Sequence, residues 1–244
     1  MIIAVLAAYN EVKAITSLLD NFINLLGETS LRVRIIIVDD GSTDGTLEVV
    51  KAYQKIPIEI IQHSCNKGLS EAIKTGLLYA VNIADKKDII ITMDADNTHN
   101  PGLIIHMLML VEEGYDVVIA SRYSPGSRVI GLSLSRKIYS LVASWIFRIL
   151  FPIAGVKDYT CGYRAYRVGI LKEAFERWGD NFINAPGFSC MVDILLKLRK
   201  LNIIMTEAPL VLRYDLKPGK SKMDVTKTIK ETLKLIWKRR LNLD

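Results

Sequence analysis

The sequence predicts an α/β fold: a mostly parallel sheet flanked by helices, with a basic amphipathic helix near the C-terminal end. Three observations predict it. Through the first two-thirds of the chain, short apolar runs rich in Ile and Val alternate with segments of helical periodicity. The runs are continuously apolar, as strands buried on both faces are. From Lys217 to Arg240, nine basic residues face only Asp224 and Glu231, and apolar residues recur there at helical spacing.

Strands are expected at 2–7, 33–38, 58–62, 88–93 and 116–121, with helices at 11–26, 44–54, 68–82 and 101–113. Pro101 suits the first turn of its helix. After Arg122 the pattern is less regular. An apolar helix is expected at 133–151, a strand near 163–167, helices near 168–178 and 188–201, and a strand at 207–213. No linker is evident, so residues 1–222 are read as one domain and 223–244 as the basic helix.

Half of the 244 residues are apolar, enough for one large core. Cys65, Cys161 and Cys190 have neither paired nor metal-ligand spacing, which fits a reduced, cytosolic setting. The N-terminus starts directly in a strand-like run, without a signal-peptide pattern. The segment 138–155 is apolar but contains Arg148 and Pro152 and is short for a membrane span.

The strand ends carry the chemistry. Ile89-Ile90-Ile91-Thr92-Met93 runs into Asp94-Ala95-Asp96. Residues i and i+2 of an extended segment point the same way, so both carboxylates can reach one hard divalent cation. Mg²⁺ takes one or two protein carboxylates and completes its shell with substrate phosphates. Val38 is followed by Asp39-Asp40-Gly41-Ser42, and the first strand ends at Ala8-Tyr9-Asn10-Glu11. In a parallel sheet these tips converge on one edge, where open α/β sheets bind ligands. Each tip alone also reads as a strand followed by a turn and a helix cap.

Taken in order, Ala8-Tyr9-Asn10-Glu11, Val38-Asp39-Asp40-Gly41-Ser42, Asn66-Lys67-Gly68-Leu69 and Asp94-Ala95-Asp96 resemble family 2 glycosyltransferases of the GT-A fold. Ser121-Arg122-Tyr123, Asp158-Tyr159-Thr160-Cys161-Gly162-Tyr163-Arg164 and Gly219-Lys220-Ser221-Lys222 resemble, within that group, the dolichyl- or polyprenyl-phosphate mannose synthases. The resemblance implies an inverting transfer of mannose from GDP-mannose to a polyprenyl phosphate, with Mg²⁺ or Mn²⁺. It implies Ala7, Tyr9, Glu11, Val38, Asp39, Asp40, Asp94, Ala95 and Asp96 around the nucleotide sugar, with either Asp39 or Asp40 accepting from a base N–H. Asp96 is the expected direct metal ligand; Asp94 binds the metal, through water or directly, or touches the ribose. Thr98 stands where many relatives have a metal-binding Gln, and its hydroxyl is a weaker ligand.

The resemblance further implies Arg122, Arg136 and Ser140 at the acceptor phosphate, and Arg213 and Lys222 closing over the donor diphosphate. Asp193 falls where many family members have an acidic base or a sugar-hydroxyl acceptor, on what reads as an amphipathic helix. A lipid phosphate needs no such base, because its second pKa is about 6 and it is largely dianionic at neutral pH. Another donor such as UDP-glucose, a hydroxyl acceptor, or a catalytically silent membrane-associated subunit remain alternatives at this stage. The basic C-terminal helix, with Trp237, reads as a membrane-surface anchor on the cytoplasmic face, or as a helix docked on the domain. A membrane-embedded partner subunit is left open. No nucleic-acid-binding module is present in the sequence, and no Gly-x-Gly-x-x-Gly follows the first strand.

Overall fold

The computed structural model describes residues 1–219 and 225–240. The alternation read from the sequence becomes strands β1 (Ile2–Ala8), β2 (Val33–Asp39), β3 (Ile58–Gln62), β4 (Ile89–Asp94) and β5 (Val117–Ser121). Between them run helices α1 (Ile15–Glu28), α2 (Thr46–Ala52), α3 (Leu69–Ile83) and α4 (Leu103–Glu112). The chain continues through β6 (Arg128–Ile130), α5 (Leu134–Leu150), β7 (Arg164–Arg167), α6 (Val168–Trp178), α7 (Ser189–Leu198), β8 (Met205–Pro209), β9 (Val211–Arg213) and α8 (Val225–Arg240).

Among the described residues, seven strands form one sheet in the order β3-β2-β1-β4-β7-β5-β8, and β6 pairs with β9 in a second, small one. All pairings in the main sheet are parallel except those of β7, which runs antiparallel to both β4 and β5. This is the mostly parallel, helix-flanked sheet expected of the GT-A fold. The carboxyl ends of β1, β2, β4 and β5 therefore share one edge, joined there by the chain that enters β7.

The central strands are apolar throughout because helices cover them. Ile3, Ala4, Val5 and Leu6 of β1 and Ile36 to Val38 of β2 are fully enclosed. Ile15, Leu18, Leu19, Phe22 and Leu25 place the apolar stripe of α1 on this core. Gly76 lets α3 approach the sheet closely: a Cβ there would lie 2.4 Å from Val5 Cγ1 and 3.0 Å from Val38 Cγ2.

Three expectations need correction. The helix expected from residue 11 begins at Ile15, because Asn10 adopts φ 54° and the Glu11 carbonyl accepts from the amides of Ala14 and Ile15 in a preceding turn. The strand expected at 207–213 is two strands. Leu210 steps between them, its amide donating to Ser121 and its carbonyl accepting from Arg128, so the chain changes sheet at that point. The helix near 188–201 is not amphipathic: every residue of α7, including Asp193 and Lys197, is buried.

α8 packs on α7 and, with α6, contributes to its burial. Leu235 of α8 is buried in the core, and Arg239 reaches Asp193. The C-terminal helix thus packs one face on α7. No helix among the described residues is long and apolar enough to cross a membrane.

Candidate functional site

The loops after β1 and β2 are laced together at the shared edge. The Asn10 amide donates to Ser42 Oγ (2.9 Å), and the Thr43 amide donates to Asn10 Oδ1 (2.7 Å). The Glu11 amide donates to Thr46 Oγ1 (2.8 Å), while Asp44 accepts from the amides of Val12 and Thr46. Asn tolerates the left-handed conformation that Asn10 adopts. Gly41 is required for close approach: at φ +69°, a Cβ would sit 2.5 Å from the backbone of Cys65.

The two adjacent carboxylates do different work. Asp40 is consumed internally, accepting from the amides of Lys67 (2.9 Å) and Gly68 (2.8 Å) and pairing with His63 Nδ1 at 2.7 Å. It fixes the loop that starts α3. Asp39 accepts from the Ser42 amide through Oδ2 (3.3 Å), while its buried Oδ1 has no hydrogen-bond partner. A buried, unpaired carboxylate oxygen is costly unless a ligand satisfies it. Of the two sequence alternatives for a base N–H acceptor, Asp39 is the one with an open oxygen.

Ala7 lies in register between Val38 of β2 and Asp94 of β4. Tyr9 and Glu11 follow on the half-buried rim, whereas the side chains of Val38 and Ala95 belong to the core. At the tip of β4, Asp96 Oδ1 accepts from both the amide (3.1 Å) and the hydroxyl (2.6 Å) of Thr98. Asn97 supplies the tight turn at φ 61°. Asp96 Oδ2 lies 2.6 Å from Lys217 Nζ. Burial pushes the Asp96 carboxyl up, but the Lys217 charge beside it holds it below the ordinary value. Asp94 takes no hydrogen bond on its carboxylate from the described residues. Burial holds its pKa above the ordinary value despite the neighbouring His99.

One pocket runs from Asp94 and Thr98 to Arg122, Arg136 and Ser140; Asp96, engaged by Thr98 and Lys217, does not line it. Tyr139, Phe188, Met191 and Val192 give it apolar walls. Arg122 is fixed from below: Nε and Nη2 each lie 2.7 Å from an oxygen of Asp158, and Nη2 also donates to Thr160 Oγ1 at 2.5 Å. Asp158 is fully buried. It also accepts from the amides of Arg122, Thr160 and Cys161. Ser140 on α5 is hydrogen-bonded to Tyr123 Oη at 2.7 Å, which ties that helix to the tip of β5.

Other expected residues lie elsewhere. Arg213 forms an exposed pair with Asp215 and does not line the pocket; its amide donates to the Thr98 carbonyl at 3.0 Å. Lys222 lies outside the described residues. Asp193 is fully buried, with one oxygen 2.6 Å from Lys197 Nζ and the other 2.7 Å from Arg239. Both oxygens are engaged in ion pairs, so its geometry is that of a tie between α7 and α8 and not of a base. Lys217 had no place in the sequence reading beyond the basic tail. Nothing local in the sequence marks it as the residue that returns to Asp96.

The model of the family described as glycosyl transferase family 2 matches residues 3–175. The chain belongs to this family. Among its curated relatives, a dolichol-phosphate mannosyltransferase of Pyrococcus furiosus is 31% identical over 236 residues, covering 96% of this chain and 62% of that protein. An undecaprenyl-phosphate mannosyltransferase of Micrococcus luteus is 27% identical, covering 91% of this chain and 87% of that one. The chain thus spans under two thirds of the Pyrococcus protein's length. Among solved structures, a glucosyl-3-phosphoglycerate synthase from Mycobacterium tuberculosis with Mn²⁺, UDP and phosphoglyceric acid superposes with a TM-score of 0.66. It is 19% identical, with 99% of this chain and 78% of that chain covered. At this identity the likeness is one of fold.

The Arg122–Asp158 pair yields a stability prediction for this family 2 member. Burial pushes the Asp158 carboxyl up, but the Arg122 charge and hydrogen bonds outweigh it and hold it below 3.8. A depressed carboxyl stabilises the fold fully above its unfolded pKa and loses that contribution as pH falls through the folded one. Asp158→Asn leaves Arg122 without its countercharge, at a cost of roughly 3–5 kcal/mol. Denaturant melts should show that deficit unchanged between about pH 6 and 8, and shrinking only in strong acid.

Proposed function

We propose that this protein is an inverting mannosyltransferase that moves mannose from GDP-mannose to a polyprenyl phosphate. The observation that carries the reading is the pocket with Asp94 and Thr98 at one end, Arg122, Arg136 and Ser140 at the other, and apolar walls between. The names of the Pyrococcus and Micrococcus relatives support the same acceptor class and sugar.

The residues fit a divalent cation. Asp94 and Asp96 offer hard oxygens, and Asp94 is free of competing hydrogen bonds from the described residues. Among those residues no group of three or more His, Cys, Asp or Glu forms a closed metal cage. A two-carboxylate site open to substrate phosphates suits Mg²⁺ or Mn²⁺. Solved fold neighbours were crystallised with each of these ions. When bound, the ion would supply Lewis-acid stabilisation of the leaving diphosphate.

The chain's own residues do the rest. Asp39 Oδ1 accepts an N–H of the base, and the rim formed by Ala7, Tyr9 and Glu11 shapes the space over β1. Arg122 already has its Nε and Nη2 directed to Asp158, which leaves Nη1 and the face toward the pocket for phosphate. Arg136 and Ser140 add a second cation and a hydroxyl on α5. A phosphate oxygen attacks the anomeric carbon as the bond to the nucleoside diphosphate breaks, with inversion at that carbon. The dianionic acceptor loses no proton, so the site needs aim and charge and no general base. The engagement of Asp193 by Lys197 and Arg239 supports this over a hydroxyl acceptor. Lys222 is proposed, with Arg213, to close over the donor.

The same reading puts the protein peripherally on the cytoplasmic face of a membrane, with 1–222 as the transfer domain and 223–244 as a surface anchor. Leu134 (73%) and Ile149 (71%) of α5 and Trp237 (72%) of α8 are strongly exposed, with Ile138, Tyr139, Trp145 and Leu233. Exposed apolar residues on basic helices suit an interface of anionic lipid. Because Leu235 and Arg239 hold α7, deleting the helix would damage the core, and point changes are the cleaner probe. Leu233→Ser with Trp237→Ser should weaken co-sedimentation with anionic liposomes severalfold while leaving the melting temperature nearly unchanged. Equal sedimentation would remove the anchor.

The test of function is transfer of label from GDP-mannose into organic-extractable lipid, with polyprenyl phosphate and Mg²⁺ or Mn²⁺, beside UDP-glucose and UDP-N-acetylglucosamine. Lipid label from GDP-mannose alone is expected. Label from a UDP donor would change the sugar, and none from any donor would leave a silent subunit.

A further inference from the structure

Lys217 Nζ lies 2.6 Å from Asp96 Oδ2, and both side chains are 10% exposed. The pair spans 121 residues of sequence. It is seated by a short 3₁₀ turn, Tyr214–Leu216, with the Lys217 amide donating to the Tyr214 carbonyl at 3.2 Å. The other oxygen of Asp96 is engaged by Thr98 through both amide and hydroxyl. Asp96 therefore has both oxygens engaged, whereas Asp94 beside it accepts nothing from the described residues.

An ammonium and a divalent cation on one carboxylate oxygen repel each other at close range, so the two compete for Asp96. Two neighbouring carboxylates at one strand tip likewise favour a cation beside them. Lys217 supplies that cation within the chain.

Resting on the proposed metal site at Asp94 and Asp96, we infer that Lys217 is the exchangeable counter-ion of Asp96, which a divalent cation must displace. Displacement leaves the ammonium beside the edge where the donor diphosphate lies. A nucleoside diphosphate then offers it a new partner, so metal and diphosphate binding reinforce each other through Lys217. Such coupling is reciprocal. The free protein holds metal weakly, and the donor restores its affinity.

The experiment is titration of the full chain with Mn²⁺ by calorimetry, alone and with saturating GDP or UDP. The forms compared are wild type, Lys217→Gln, Lys217→Arg and Asp96→Asn. Lys217→Gln should bind Mn²⁺ alone about tenfold more tightly than wild type, the ratio for losing one competing charge-assisted hydrogen bond. The further tightening by nucleoside diphosphate should shrink by a similar factor. Lys217→Arg should stay near wild type. Equal or weaker Mn²⁺ binding by Lys217→Gln, with Asp96→Asn abolishing binding, would overturn this inference and keep the metal site. Binding unaffected by Asp96→Asn would overturn both. Independently of any variant, hydrogen exchange of the Lys217 amide in wild type should quicken on adding Mn²⁺, and unchanged exchange would count against displacement.

Discussion

The buried pair between Arg122 and Asp158 is the constraint on which the site depends. Arg122 follows the last residue of β5, and Asp158 belongs to the chain entering β7, so the pair clamps two strands at the edge where the site lies. Asp158 in turn is oriented by its own backbone: its amide and that of Lys157 donate to Glu207 on β8. One carboxylate on β8 thus sets the loop, the loop sets Asp158, and Asp158 sets the guanidinium. A buried ion pair is weak evidence for stability as such, because desolvation offsets much of its Coulomb attraction. What it supplies here is aim: a guanidinium held rigid before any ligand arrives, as the proposed phosphate contact requires.

The same economy recurs around the edge. Arg164 is fully buried and donates to the carbonyls of Cys161, Met191 and Tyr159, joining the 158–162 loop to α7 with no carboxylate partner among the described residues. Asp193 joins α7 to α8 through Lys197 and Arg239. Among the described residues at this edge, Asp39 and Asp94 keep carboxylate oxygens without a hydrogen bond, at the tips of β2 and β4. Saturated polar groups hold the frame at this edge, and the open oxygens of Asp39 and Asp94 are those a ligand would satisfy.

Much of this was legible in the sequence. The strands through β5 and the helices between them follow from apolar runs and helical spacing, because strands buried on both faces leave a signature in every residue. The convergence of Asp39, Asp94 and Arg122 follows from parallel order alone. Other features depend on contacts that no local pattern records. The antiparallel entry of β7 between β4 and β5 is set by its crossover. α7 is enclosed by both α6 and α8, and Asp193 and Lys197 are paired inside, so a helix with charged residues inside reads as amphipathic. Asp39 and Asp40 look equivalent until the amides of Lys67 and Gly68 are seen to consume Asp40. The pairing of Lys217 with Asp96 is invisible because it joins two loops far apart in the chain.

On the proposed reading, the tip of β4 is a cation site shared with a nucleoside diphosphate. The most direct measurement is anomalous scattering at the manganese edge from crystals grown with Mn²⁺ and GDP. The account predicts one strong peak within ligand distance of the Asp96 carboxylate, bridged to the diphosphate, with Lys217 moved off Asp96. A diphosphate bound at this edge with no such peak, or a peak remote from Asp94 and Asp96, would contradict it.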